Sequence, residues 1–231
     1  PDPLVCEIVE LWRQRQDMVR AQQKLTLQTK AICRRFTEGD KTEAAALYRS
    51  MNNGMAHPLA EACAAATAPL RMASKPVEDA RKALEKRLTK LGEQLPIAEE
   101  AMAIRGVNGK TLASIYGECG DLAAYRDHSA LWKRCGLAVI GGERQRRKTG
   151  DDALLHGYAP QRHAVIWNVG QALIKAQGKD DDAGPYRQLY DARRAYERPR
   201  VESDGHAHNR ALRYATKRLI RDLFKMARRA A

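Results

Sequence analysis

The sequence predicts an all-α protein: a long coiled-coil-like helical arm followed by a helical domain that contains a helix-hairpin-helix. Three observations carry that prediction. Apolar residues recur at three- and four-residue spacing along most of the chain. Alanine is abundant and aromatic residues make up only 6%. No segment shows the period-2 alternation of a half-buried strand.

Residues 4–36 hold the clearest periodicity. Leu4, Leu11, Met18, Leu25 and Ile32 are seven apart and apolar, while the second seam runs Ile8, Arg15, Gln22, Thr29 and Phe36. One apolar seam and one interrupted by polar residues predict a long helix in a coiled coil or bundle. Glu38-Gly39-Asp40 ends it, and a shorter helix over 41–51 runs into Asn52-Asn53-Gly54. An Ala-rich helix over 58–72 follows, and Ser74-Lys75-Pro76 starts another, with proline in its first turn. Residues 1–95 are expected to form a helical arm, either antiparallel within one chain as part of a bundle core or pairing two chains into a homodimer.

The domain over 96–231 opens with a short helix over 97–104, a glycine turn and a helix over 110–118. Two or three short helices are expected over 121–140, then a polar basic loop over 141–152. A helix over 160–177, an acidic break over 179–184 and two last helices over 185–197 and 208–229 complete the chain.

The formal net charge is +13, with 41 Lys and Arg against 28 Asp and Glu. An excess of that size favours a polyanionic partner: DNA, with structured RNA as the alternative and a membrane surface ranked behind both. No apolar run reaches the length of a membrane span, and the N-terminal segment lacks the pattern of a secretory signal. A cytoplasmic protein is expected, associated with the nucleoid in a bacterium. Cys6, Cys33, Cys63, Cys119 and Cys135 are odd in number and widely spaced, which predicts reduced thiols and no metal site. No cofactor is expected.

The stretch "RGVNGKTLAS", residues 105–114, ends like a nucleotide-binding P-loop. That motif needs a first glycine at 104, where Ile104 stands, and a strand before it, where the pattern is helical. A turn between two helices fits better. Gly106, Val107, Asn108 and Gly109 would form the turn, and the helix starting at Gly109, Lys110 and Thr111 would offer backbone N–H groups to a nucleic-acid phosphate. Arg144, Arg146, Arg147 and Lys148 form a second candidate contact in the basic loop. A third is a stripe on the last helix: Arg210, Arg213, Lys217, Arg221, Lys225 and Arg228. Arg193, Arg194, Arg198 and Arg200 add charge to the same region. His206 and His208 read as surface histidines in a loop, the tryptophans as core, and Asp180-Asp181-Asp182 as a solvated linker.

The segment "AIRGVNGKTLASIYGECGDLAAYRDHSALWKRCGL" resembles the second region of insertion-sequence transposases of family 110, relatives of the Piv/MooV invertases. Ile104, Gly106, Val107, Thr111, Ala113, Glu118, Gly120, Asp121, Tyr125, Gly136 and Leu137 carry the resemblance. Asn108 displaces the family's second glycine to Gly109. The resemblance is specific over about 96–140. It implies DNA recombination, an N-terminal RNase H-like domain with four acidic metal ligands, a guide RNA in some members, and a nucleophilic serine just after the Gly-Leu pair. No such domain is expected within residues 1–95, where the pattern is helical. Gly141 stands where that serine would be, and no serine occurs between Ser129 and Ser203. Glycine cannot form a covalent phosphoester. The sequence therefore predicts a DNA-binding relative of transposases without catalysis of its own. An active recombinase served by a separate metal-binding domain, and a basic scaffold for an acidic protein, are the alternatives.

Overall fold

A computed structural model describes residues 2–231, and among these the fold is all-α apart from one small β-hairpin. The chain divides into two compact units. One is Arg13–Lys86. The other is the chain up to Trp12 together with Arg87–Ala231.

The smaller unit contains most of α1 (Pro3–Phe36), α2 (Lys41–Asn53) and α3 (Ala60–Gly92) up to Lys86. The interrupted seam of α1 has its explanation here. Arg15 Nη2 reaches Glu85 Oε1 at 2.7 Å, and Arg81 Nη1 reaches the same oxygen at 2.8 Å. Gln22 Oε1 accepts from Arg81 Nε at 3.1 Å, and Cys33 Sγ lies 3.8 Å from Cys63 Sγ. Partner numbers fall as α1 numbers rise, so α1 and α3 run antiparallel within one chain, and the polar seam residues pair across it. Cys33, Ala44, Leu47 and Cys63 are buried together at the end where α2 folds in. Asp40 caps α2 by accepting from the Thr42 and Glu43 amides at 2.7 and 2.8 Å, and Gly54 ends it in the left-handed conformation, φ 68°.

One expectation fails in this unit. Residues 58–72 and the segment from Ser74 are not separate helices; α3 runs unbroken, with Pro69 and Pro76 inside it. A proline removes one N–H and orphans the carbonyl four residues earlier. Both prolines are exposed, and so are Ala65 and Met72, whose carbonyls lose a partner. Water reaches those oxygens, so the helix continues.

The larger unit is organised around α10 (Asp204–Ala230), whose Ala207, Ala211, Leu212, Ala215, Leu219, Ile220 and Leu223 are buried. Around it pack α6 (His128–Arg134), α8 (Pro160–Ala176) and α9 (Pro185–Glu197). Gly170 of α8 meets Thr216 of α10 so closely that a Cβ at 170 would lie 2.1 Å from the Thr216 Oγ1. α5 (Gly109–Cys119) packs on α8 and on the short α4 (Ala98–Met102). Trp12 covers Gly117, and its indole N–H donates to Glu118 Oε1 at 2.8 Å. Leu88 and Leu95 belong to this core, so the end of α3 packs here.

Four further expectations are corrected. The region 121–140 yields one helix, α6, with turns on either side. The basic loop contains β1 (Val139–Ile140) paired antiparallel with β2 (Glu143–Arg144), then α7 (Asp151–His156). Gly141 and Gly142, at φ 56° and 79°, supply the two positive-φ positions of a two-residue hairpin turn, a ladder too short to leave a sequence period. α10 begins at its Ser203 cap, not near 208, so His206 and His208 are helical. His208 Nδ1 lies 2.6 Å from the Tyr190 hydroxyl, and its Nε2 lies 3.3 Å from Gln171 Nε2. Asp182 is no free linker residue: its carboxylate accepts from Arg105 Nη1 and Nη2 at 2.9–3.1 Å.

Among the described residues no helix is long and apolar enough to cross a membrane. None forms a group of three or more His, Cys, Asp or Glu that could hold a metal.

Candidate nucleic-acid interface

The turn between α4 and α5 is shaped by packing. Gly106 adopts φ 99°, and a Cβ there would meet the Ala176 Cβ at 2.9 Å. Gly109 is buried; a Cβ on it would lie 2.3 Å from the Thr89 carbonyl oxygen, and a Cβ on Gly92 would lie 2.0 Å from the Gly109 oxygen. Backbone thus meets backbone where α3 ends and α5 begins. Val107 is buried. Asn108 is the cap of α5, its side-chain oxygen accepting from the Thr111 amide at 2.9 Å and the Thr111 hydroxyl at 3.1 Å. One amide expected to face phosphate is therefore already taken by the cap. Lys110 is exposed. Arg105 ties the turn to the end of α8, donating to the Gln177 carbonyl at 2.9 Å while Gln177 Nε2 donates back to the Arg105 carbonyl at 2.5 Å.

The β-hairpin is anchored by Gln145, which is 1% exposed. Its Nε2 donates to the Lys133 and His156 carbonyls at 3.0 and 2.5 Å, and its Oε1 accepts from the Ala138 amide at 3.1 Å. Arg146 pairs with Glu143 at 2.9 Å, and Lys148 lies 3.8 and 4.0 Å from Glu143 and Asp152. Arg144 and Arg147 are exposed. Gly141 stands at the exposed tip.

The six cations of α10 do not make one solvated stripe. Arg210 pairs with Glu197 at 2.9 Å, and Arg221 with Asp222 at 3.1 Å. Arg228 donates to the Ala123 carbonyl at 3.2 Å, while Lys225 is exposed. Arg213 turns inward and donates to the Leu137 and Ala138 carbonyls at 2.6 and 2.8 Å. Lys217 Nζ lies 3.9 Å from the centre of the Trp132 ring. The spacing that put all six on one side of a helix could not reveal which neighbours that side would meet.

The hairpin and the middle of α10 bring cations together. Burial pushes the Arg213 guanidinium down to about 10, and Arg144 pushes it the same way. Burial also lowers the Lys217 ammonium, followed by repulsion from Arg213 and Arg218. His163, beside Gly136, is lowered by burial and then by Arg213 and Arg144, against a Cys135 backbone hydrogen bond that raises it. Arg213 thus feels Arg144 as a like charge, and Lys217 feels Arg213 and Arg218.

A second feature escaped the sequence reading. Arg200 Cζ lies 3.7 Å from the Tyr196 ring centre, and Arg193 Cζ lies 4.8 Å from Tyr196 and 5.2 Å from Tyr214. Arg218 Cζ lies 5.0 Å from Tyr214, and its Nη2 donates to the Tyr214 hydroxyl at 2.6 Å. The signal was present as Arg193–Tyr196, Tyr196–Arg200 and Tyr214–Arg218 at i,i+3 and i,i+4 spacing, where helical neighbours meet. Beneath it, the buried Glu197 carboxylate pairs with Arg193 and Arg210.

Comparison of the chain with protein-family models, curated proteins and solved structures finds no match.

Proposed function

We propose that the chain is a DNA-binding protein, akin to the C-terminal part of a transposase of family 110, that holds the DNA backbone and has no strand-transfer chemistry of its own. The observation that carries this reading is the junction of α10 with the hairpin: Arg213 donates to the Leu137 and Ala138 carbonyls, Val139 pairs with Arg144, and Lys217 and Arg218 follow on α10. Like charges held together cost the folded chain energy, and a phosphate backbone relieves that cost. Arg146, Arg147 and Lys148 on the hairpin extend the contact. Such contacts position DNA without reading its bases.

The net charge of +13 supports the same reading. So does the family resemblance of residues 96–140. Gly141 at the expected serine position is the reason to propose binding without catalysis. Anisotropy titration of a labelled duplex across a salt series tests it. With about five phosphates neutralised, log affinity should fall against log salt with a slope of about −4 to −5. Binding that ignores salt, or no binding at low salt, would overturn the proposal.

A further inference from the structure

We propose that the Arg200–Tyr196–Arg193–Tyr214–Arg218 ladder on α9, the turn after it and α10 docks an unpaired DNA strand, a base stacking at the Tyr196–Arg200 end and the phosphates following the cations toward Arg144. This rests on the reading above that the chain binds DNA, and it names the form of DNA that this face takes.

The ladder alternates guanidinium planes with phenol rings, each cation lying 3.7–5.2 Å from a ring centre. Both kinds of plane stack on nucleobases, whatever the base. Tyr196 is 51% exposed, and Arg200 beside it is also exposed. The exposed end of the ladder is therefore the Arg200 guanidinium, lying over the Tyr196 ring. At its other end, Arg218 follows Lys217 on α10, one turn beyond Arg213, and Arg213 donates to the Ala138 carbonyl beside Val139, which pairs with Arg144 across the hairpin. The ladder and the phosphate-binding cations are thus linked through α10 and the hairpin.

Charge placement favours an anionic strand over a merely self-stacked surface. Glu197, which holds Arg193 and Arg210 from beneath, is 2% exposed and so presents no carboxylate to an approaching phosphate. Asp204 pairs with Arg194 and Arg198, leaving Arg200 to cap the ladder. A duplex hides its base faces inside its own stack. A ring on the outer surface of a helix can take a base only from a strand that is unpaired or has been opened.

Two probes test the proposal on the full chain: a labelled thymidine oligonucleotide of about 20 nucleotides and a duplex of the same length. Tyr196→Ala removes the ring that holds the Arg200 guanidinium plane and should weaken oligothymidine binding about tenfold, the size of one lost stacked base. Tyr196→Phe, which keeps the ring, should bind like the parent, and duplex affinity should not change in either variant. Photo-crosslinking with 5-iodouracil in the oligonucleotide should label the peptide containing Tyr196. Equal losses on both probes, no loss on either, or crosslinks confined to other peptides would overturn the proposal. A Tyr196-dependent preference for oligouridine would overturn the assignment to DNA. Should Tyr196→Ala unfold, Arg200→Ala, on an exposed side chain, carries the same comparison. Tyr196-dependent oligothymidine binding without salt-dependent duplex binding would remove the duplex contact proposed above and leave this inference standing.

Discussion

The Lys217 ammonium lies 3.9 Å from the Trp132 ring centre, and the Trp132 indole N–H donates back to the Lys217 carbonyl oxygen at 3.0 Å. One residue thus supplies a cation to the ring and an acceptor to its edge. Burial, then Arg213 and Arg218, depress the Lys217 pKa, so its charged form is disfavoured in the folded chain. Lys217→Met should leave the melting temperature at neutral pH no lower than the parent's. It should also weaken duplex binding and make the salt slope shallower by about 0.9. Trp132→Leu should lose stability instead. A calorimetric scan beside the salt series separates the two effects.

Arg213 closes the segment 136–138 through three carbonyls, one of them on Leu137, which is 1% exposed. Arg213→Ala removes the donor to Gly136 and Leu137, while Ala138 keeps the Gln145 amide, and should cost about 2 kcal/mol in urea denaturation. Arg213→Lys should recover only part of it, because one ammonium does not reproduce the guanidinium fork. Full recovery by lysine would show that the charge alone matters.

Gly109→Ala should be more damaging than Asn108→Ala, one residue earlier. The new Cβ would press on the Thr89 carbonyl, which is backbone and yields little. A cost of about 2 kcal/mol or more is expected. Asn108→Ala removes the cap bond to the Thr111 amide and should cost about 1 kcal/mol. Equal unfolding midpoints for the two variants would contradict the tight junction.

Four of the five cysteines are buried and Cys6 is exposed. Burial pushes the Cys63 thiol up to about 11, helped by its hydrogen bond to Cys33. At pH 8 the native chain should titrate one fast thiol with an aromatic disulfide reagent and all five in denaturant. Cys6→Ser should abolish the fast phase.

Glu197 is held below its ordinary value, since Arg210 and Arg193 outweigh the burial that opposes them. A carboxylate with a depressed folded pKa stabilises fully above its unfolded value and loses that contribution as pH falls through the folded one. Stability should therefore begin to drop as pH falls below the ordinary glutamate value of about 4.5. Glu197→Gln should flatten that part of the profile and cost about 1–2 kcal/mol at pH 7, allowing for solvent around the two arginines.

Helix content was legible because a 3.6-residue period survives any tertiary arrangement. The α1 heptads, the Asn-Asn-Gly stop of α2 and the Pro160 start of α8 could be read directly. What the helices meet could not. Arg15 and Gln22 looked like flaws in a seam until Glu85 and Arg81 supplied their partners. Pro76 looked like a helix start because a sequence cannot show that the Met72 carbonyl faces water. Arg213 and Lys217 were grouped with Lys225 by spacing alone, yet the first two turn to Leu137 and Trp132. The Arg–Tyr ladder lay at helical spacing along 193–200 and along α10, but only folding sets Arg193 between Tyr196 and Tyr214.

Gly141 has an evolutionary consequence. A single codon change to serine would restore a hydroxyl where the family resemblance expects one. That serine would inherit φ 56°, a backbone that residues with a Cβ rarely adopt, and a Cβ with nothing within 4 Å. Its hydroxyl would stand in solvent at the tip of a hairpin whose shape depends on Gly141 and Gly142. Placing a side chain at 141 would therefore require rebuilding the turn as well as changing the residue.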